Sequence, residues 1–217
     1  MRYHYILFAG LLLAGCRQST EQVDHTSADT PTADSSLPTT SQGKETTIDS
    51  VAPNKLIIPG TSVGLTMIGH TTAAVYQLLG KPDDGDAAMG KSLSTWYSKQ
   101  QKGYKTQVFS AMQMGDSETM PRVKSIRVNN PLFETRSHLH AGSTLKEALT
   151  LFPALLLVGN YSAGAGKPVR VYDDSEAGIA VEINEQDLCV GINVHQKNEK
   201  AFAQYIPFES SFKPLQD

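Results

Sequence analysis

Several short groupings in this sequence carry residue types able to do chemistry. Gly60–Gly64 (GTSVG) has the G-x-S-x-G spacing that lifts a serine, here Ser62, onto a strained turn between a strand and a helix. That turn needs parallel strands laid down before it. Here it follows Pro59 and leads into the strand-like run Leu65–Ile68, so it reads as a turn ahead of a first strand. Ser143–Lys146 (STLK) matches S-x-x-K, in which a lysine beside a serine helps to activate it, but the companion S-D-N and K-T-G elements are missing from the chain. Ser143 or Thr144 as a helix cap, with Glu147 three residues beyond Thr144, accounts for the same letters. Gly164–Lys167 (GAGK) lacks the glycine of a phosphate loop, since Tyr161 stands there, and Pro168 replaces the hydroxyl residue after the lysine. It reads as a loop between the second helix and the next strand.

His138 and His140 alternate as two imidazoles on one strand face would, and a metal could be held there. A third ligand, such as His195, cannot be located from the sequence. Asp83–Asp86 (DDGD) lacks the twelve-residue spacing and closing glutamate of a calcium loop, and reads as a polar turn. Cys189 lies in the apolar run Leu188–Ile192 and reads as a small buried hydrophobe rather than a nucleophile. No grouping is complete, so the expectation is a protein without catalytic residues, cofactor or metal.

The elements that would position these residues recur. Gly69–Leu79 (GHTTAAVYQLL) aligns without gaps on Gly142–Phe152 (GSTLKEALTLF), 73 residues later. Val75, Tyr76, Leu78 and Leu79 fall on Ala148, Leu149, Leu151 and Phe152, one apolar helical face in each copy. Downstream, Val123–Val128 (VKSIRV) matches Cys189–Val194 (CVGINV) at an offset of 66. Between helix and last strand lie two further strand candidates per copy: Ser94–Tyr97 and Gln107–Met112, then Val169–Tyr172 and Ile179–Ile183. The expected fold is α+β: two repeated β-α-β-β-β units, about 60–130 and 134–195, forming an antiparallel sheet with helices packed on one face. A C-terminal extension, 196–217, follows.

The chain holds 217 residues, 19 Lys and Arg against 22 Asp and Glu, for a formal charge of −3. No basic surplus exists to displace counterions from phosphates, so nucleic acid is not an expected partner. Two cysteines exclude a disulfide scaffold. Residues 1–15 combine a short basic leader with the apolar run Ile6–Ala14, whose helical length of roughly 14 Å is half a bilayer core. The run closes in Leu13-Ala14-Gly15-Cys16, which resembles the lipobox of bacterial lipoproteins. That resemblance implies a signal peptide over 1–15 and acylation of Cys16 as the first mature residue. Residues 17–54 hold 14 Ser and Thr in 38 positions and no aromatic, a composition unable to offset its ordering entropy; with Cys16 they form a lipidated, disordered tether. The globular domain is expected over 55–217.

The helix ending in Leu79-Gly80-Lys81-Pro82, followed by Trp96-Tyr97 in a strand, resembles the module of small outer-membrane lipoproteins typified by BamE. Its doubling is similar to the tandem arrangement in β-lactamase inhibitory protein. The chain has two copies where BamE has one, and no disulfides within its repeats, so neither family's partner transfers. These features imply an envelope lipoprotein, with the outer membrane favoured over the inner, attached through its N-terminal lipid. It would act as a non-enzymatic module binding a protein partner, in outer-membrane maintenance or assembly or as an inhibitor. The alternative is an envelope hydrolase using Ser62, Ser143 or His138 and His140, or a metal- or small-ligand-binding lipoprotein.

Overall fold

Two sheets carry the structure, a computed structural model that describes residues 51–112, 120–201, 205 and 207–215. Cys16, the signal peptide and the tether through Ser50 lie outside the described residues. The small sheet is built from β1 (Leu56–Ile58), β2 (Ser62–Val63), β3 (Thr66–Met67) and β8 (Glu134–Thr135), in the order β3-β2-β1-β8. The large one takes β4 (Asp84–Ala88), β5 (Lys91–Tyr97), β6 (Lys105–Ala111) and β7 (Arg122–Val128) from the first half of the domain. From the second half come β9 (Leu156–Ala163), β10 (Lys167–Asp174), β11 (Ile179–Ile183), β12 (Cys189–His195) and the short β13 (Lys213–Pro214). Its order, β13-β9-β10-β11-β12-β7-β6-β5-β4, sets two antiparallel meanders side by side, joined where β7 pairs with β12.

Helix α1 (Thr72–Leu79) starts where the Thr71 hydroxyl accepts from Ala74 N–H, and it stops at Gly80, whose φ is 79°. Helix α2 (Leu145–Leu151) starts at a capping box in which Thr144 and Glu147 satisfy each other's backbone N–H. Both helices fall within the segments whose periodicity predicts them, but their weight in the fold differs from the expectation.

The α+β expectation is overturned: the chain is mostly β, with two sheets, and the helices do not form a layer over a sheet face. The reason is length. At eight and seven residues each helix spans two turns and fully buries one side chain, Val75 in α1 and Ala148 in α2. Of the four apolar positions of α1, Tyr76, Leu78 and Leu79 stay exposed. Ile57, Val63, Leu139 and Leu155, from the small sheet and nearby turns, complete the core against Val108, Ile126, Val128, Val181, Ile192 and Val194. Each such aliphatic side chain contributes about 1.5–3 kcal/mol on full burial.

Each meander also has four strands where three were expected. Asp83–Asp86 is not a turn, because most of it enters β4; that strand lies at the sheet edge, where its polar, exposed residues need no core. A two-residue turn, Met89-Gly90, leads from β4 into β5 with both residues at positive φ. In the second half β9 precedes Gly164–Gly166, which is the turn of a β9–β10 hairpin rather than a loop leaving the helix.

The opposite face of the large sheet holds a second apolar cluster: Tyr161, Val169, Val171 and Ala180, covered by Ala201, Tyr205 and Phe212. Tyr205 stacks on Phe212 at 5.2 Å, and Phe208 meets Phe109 edge to face at 6.4 Å. Beyond them β13 adds to β9, so Lys213 and Pro214 are built into the sheet while Tyr205 and Phe212 lie on its face.

Candidate functional site

Alternation along the central strands places a charged cluster on this second face. In β7 and β12, Ile126, Val128, Ile192 and Val194 join the first core, leaving Ser125, Arg127, Asn193 and His195 on the other side. Glu182 does the same between Val181 and Ile183 in β11. Arg127 and Glu182 are therefore buried together, their side chains 7% and 0% exposed.

All five guanidinium protons of Arg127 find an acceptor. Nε donates to Glu182 Oε1 at 2.5 Å, and Nη2 to Glu182 Oε2 at 2.7 Å and to the Tyr161 hydroxyl at 3.0 Å. Nη1 donates to Gln107 Oε1 and Glu209 Oε1, both at 2.8 Å. Tyr161 in turn donates to Glu182 Oε2 at 2.7 Å. Burial by itself would lower Arg127, but Glu182 against it holds the guanidinium well above the ordinary arginine value. Burial, and then the charge of Glu182, push the Tyr161 phenol up. The fork-on-fork geometry and full set of partners offset a desolvation cost of several kcal/mol per ion. Arg127 is thus a saturated structural hub.

The hub forms the floor of a cleft of about 500 Å³ whose rim carries Lys105, Asn129, Lys167, Asn184 and Gln186. Lys105 differs from Arg127. Among the described residues its ammonium has no hydrogen-bond or ion-pair partner, and burial, followed by repulsion from Arg127, holds it below the ordinary lysine value.

A second buried pair lies on the same face. His195 Nε2 meets Asp173 Oδ1 at 2.9 Å, and its Nδ1 meets the Gln196 carbonyl at 3.0 Å. Asp173 Oδ2 accepts from Ala201 N–H at 3.0 Å, tying the pair to the covering segment. Both residues are buried, out of reach of a substrate.

The residues singled out by motif lie elsewhere. Ser62 is buried in β2 between Gly60 and Gly64, both at positive φ, in hairpin turns of the small sheet. Ser143 is buried, and its hydroxyl accepts from His140 N–H at 3.2 Å. His138 and His140 are not on a continuous strand face. His138 sits in a turn at φ 62°, its Nδ1 2.9 Å from Glu134 Oε2, while His140 Nδ1 lies 2.8 Å from the Ala141 carbonyl. These two histidines, Ser143, Lys146 and Glu147 line one cleft of about 770 Å³ beside α2. His195 is not among its lining residues, and no group of three His, Cys, Asp or Glu suited to a metal occurs among the described residues. Cys189 is buried in β12, its thiol donating to Gly191 O at 3.3 Å and pushed up to about 12, mainly by burial.

No family model matches the chain, and no curated protein matches it. Among solved structures, a DUF4309 family protein (YjgB) from Bacillus subtilis is similar over 58% of this chain and 78% of its own, with 13% identity and a TM-score of 0.36. That likeness is too loose to carry fold or function.

Proposed function

We propose that this chain is an envelope lipoprotein, anchored by an acylated Cys16, whose β domain binds another protein through the open edge of its large sheet. The observation that carries the reading is β4. It is the outermost strand, and all five of its residues are exposed. Gly85 N–H turns outward, where among the described residues it meets only the Asp84 carboxylate at 2.8 Å, and Ala87 N–H shares that direction by the two-residue period. An extended partner segment can add here by strand pairing, with basic side chains opposite Asp86.

Support for a non-enzymatic role comes from the serines and histidines nominated for chemistry. Ser62 and Ser143 are buried, and His138 and His140 are held to Glu134 and Ala141. The lipobox and tether supply the anchor in this reading, and they rest on the sequence. Among the described residues no helix is long and apolar enough to cross a membrane.

The test is a crosslinking pull-down from native envelopes with the full chain, beside Ala87→Pro and Cys16→Ser forms. One dominant partner that is lost with Ala87→Pro and depleted with Cys16→Ser is expected. Equal recovery from all three would overturn the proposal.

A further inference from the structure

The cleft over Arg127 draws on both halves of the domain and on the segment that covers them. Lys105 and Asn129 come from the first meander, Tyr161, Lys167 and Asn184 from the second, and Glu209 from the covering segment. A concave site of this size with a few convergent polar groups is the usual form of a small-molecule pocket.

Its charges are disposed in an unusual way. Arg127 has no donor to spare, and its charge is matched by Glu182. Two charges remain. Glu209, 23% exposed at its side chain, presents one oxygen to Arg127 and carries a negative charge beyond the one Arg127 needs. Lys105 carries a positive charge and lies close enough to feel Glu209, yet the two do not form an ion pair. A cation and an anion that line one cleft without touching are complementary to a ligand carrying both signs. A dianion such as phosphate would gain Lys105 and Lys167 but face Glu209 and Glu185, whereas a ligand carrying both signs meets each with its opposite.

We infer that this cleft binds a small zwitterion of the amino-acid or short-peptide class, its carboxylate on Lys105 and its ammonium on Glu209. Asn129 and Asn184 are held in place by backbone hydrogen bonds from Lys105, Gln186 and Leu188, and their remaining amide N–H groups donate to the rest of the molecule. The inference is independent of the β4 reading, because cleft and edge share no residue and the probes below are small molecules.

The experiment is isothermal titration of the purified full chain with glycylglycine, succinate and inorganic phosphate, run beside Lys105→Met, Lys105→Arg and Glu209→Gln. Glycylglycine binding is expected, weakened about tenfold or more by Lys105→Met and by Glu209→Gln, as befits loss of one charge-assisted hydrogen bond. Lys105→Arg should restore most of it. Thermal melts of each variant separate lost binding from lost folding, and a variant that fails to melt cooperatively is replaced by Lys105→Gln or Glu209→Asp. No heat with glycylglycine, unchanged affinity in a folded Lys105 variant, or equal binding of succinate or phosphate would each overturn the assignment.

Discussion

Arg127 and Asn193 face each other as paired residues where β7 meets β12, at the middle of the nine-stranded sheet. They stand 66 residues apart, the interval at which the strand pattern VKSIRV returns as CVGINV. Each is thus the other's counterpart, and a pseudo-twofold axis passes between them. The two halves differ at that axis. One contributes the guanidinium that organises Glu182, Tyr161, Gln107 and Glu209, while the other contributes an amide hydrogen-bonded to Ser125.

Arg127→Met should leave Glu182 buried without its counter-charge and destabilise the domain by about 3–5 kcal/mol. Arg127→Met with Glu182→Leu should recover most of that loss, since the one charge left without its partner, on Glu209, is partly exposed. Urea denaturation of the two variants and the parent is the check; a double variant as unstable as the single one would refute the argument.

Cys189 gives a pH dependence with a definite sign. Its folded thiol lies at about 12 against an ordinary value of 9.0, so folding favours the neutral form. That contribution is complete below about pH 9 and is lost as pH rises toward 12. A disulfide-exchange reagent at pH 8 should label Cys189 only as fast as the domain opens. Immediate labelling of folded protein would contradict this.

At the start of α2 the sign reverses. The backbone N–H and hydroxyl of Thr144 hold the Glu147 carboxyl below its usual range. The capping box therefore stabilises α2 above the ordinary glutamate value and lets go as pH falls through the lower, folded one. An NMR titration of Glu147 should show a depressed midpoint that rises part of the way back in Thr144→Val, which removes the hydroxyl and keeps the backbone N–H.

Met89 occupies the first position of the β4–β5 turn at φ 51°, and the residue is 99% exposed. Asparagine tolerates this conformation better and costs no packing, so Met89→Asn should stabilise by about 0.5–1 kcal/mol. A thermal melt would show it; a lower midpoint would mean that Met89 makes contacts worth more than the turn strain.

Much of the element sequence was readable, and the balance between elements was not. Thr71 and Thr144 mark helix starts through local chemistry, and Val123–Val128 and Cys189–Val194 mark strands through apolar spacing that survives burial. Strand β4 escaped because Asp84, Gly85 and Asp86 have the composition of a turn; pairing with β5 makes them a strand, and no local signal reports it. The helical stripe of Tyr76, Leu78 and Leu79 suggested a buried face, but the small sheet and Leu139 fill that space. Arg127 and Glu182 belong to no motif, and strand alternation alone puts them on the half facing away from the first core. Only the covering segment, which starts 74 residues beyond Arg127, turns that outward face into an interior.

That segment imposes an order in time as well as in space. A ribosome delivers β7 long before Glu209, Phe212 and β13, so the nascent chain carries Arg127 on an uncovered face and β9 with a bare edge until the last elements emerge. The domain reaches its closed form only after synthesis has passed residue 214. Under the export proposed above, the chain would in this way remain threadable while it is being made, and would close once the whole of it has crossed.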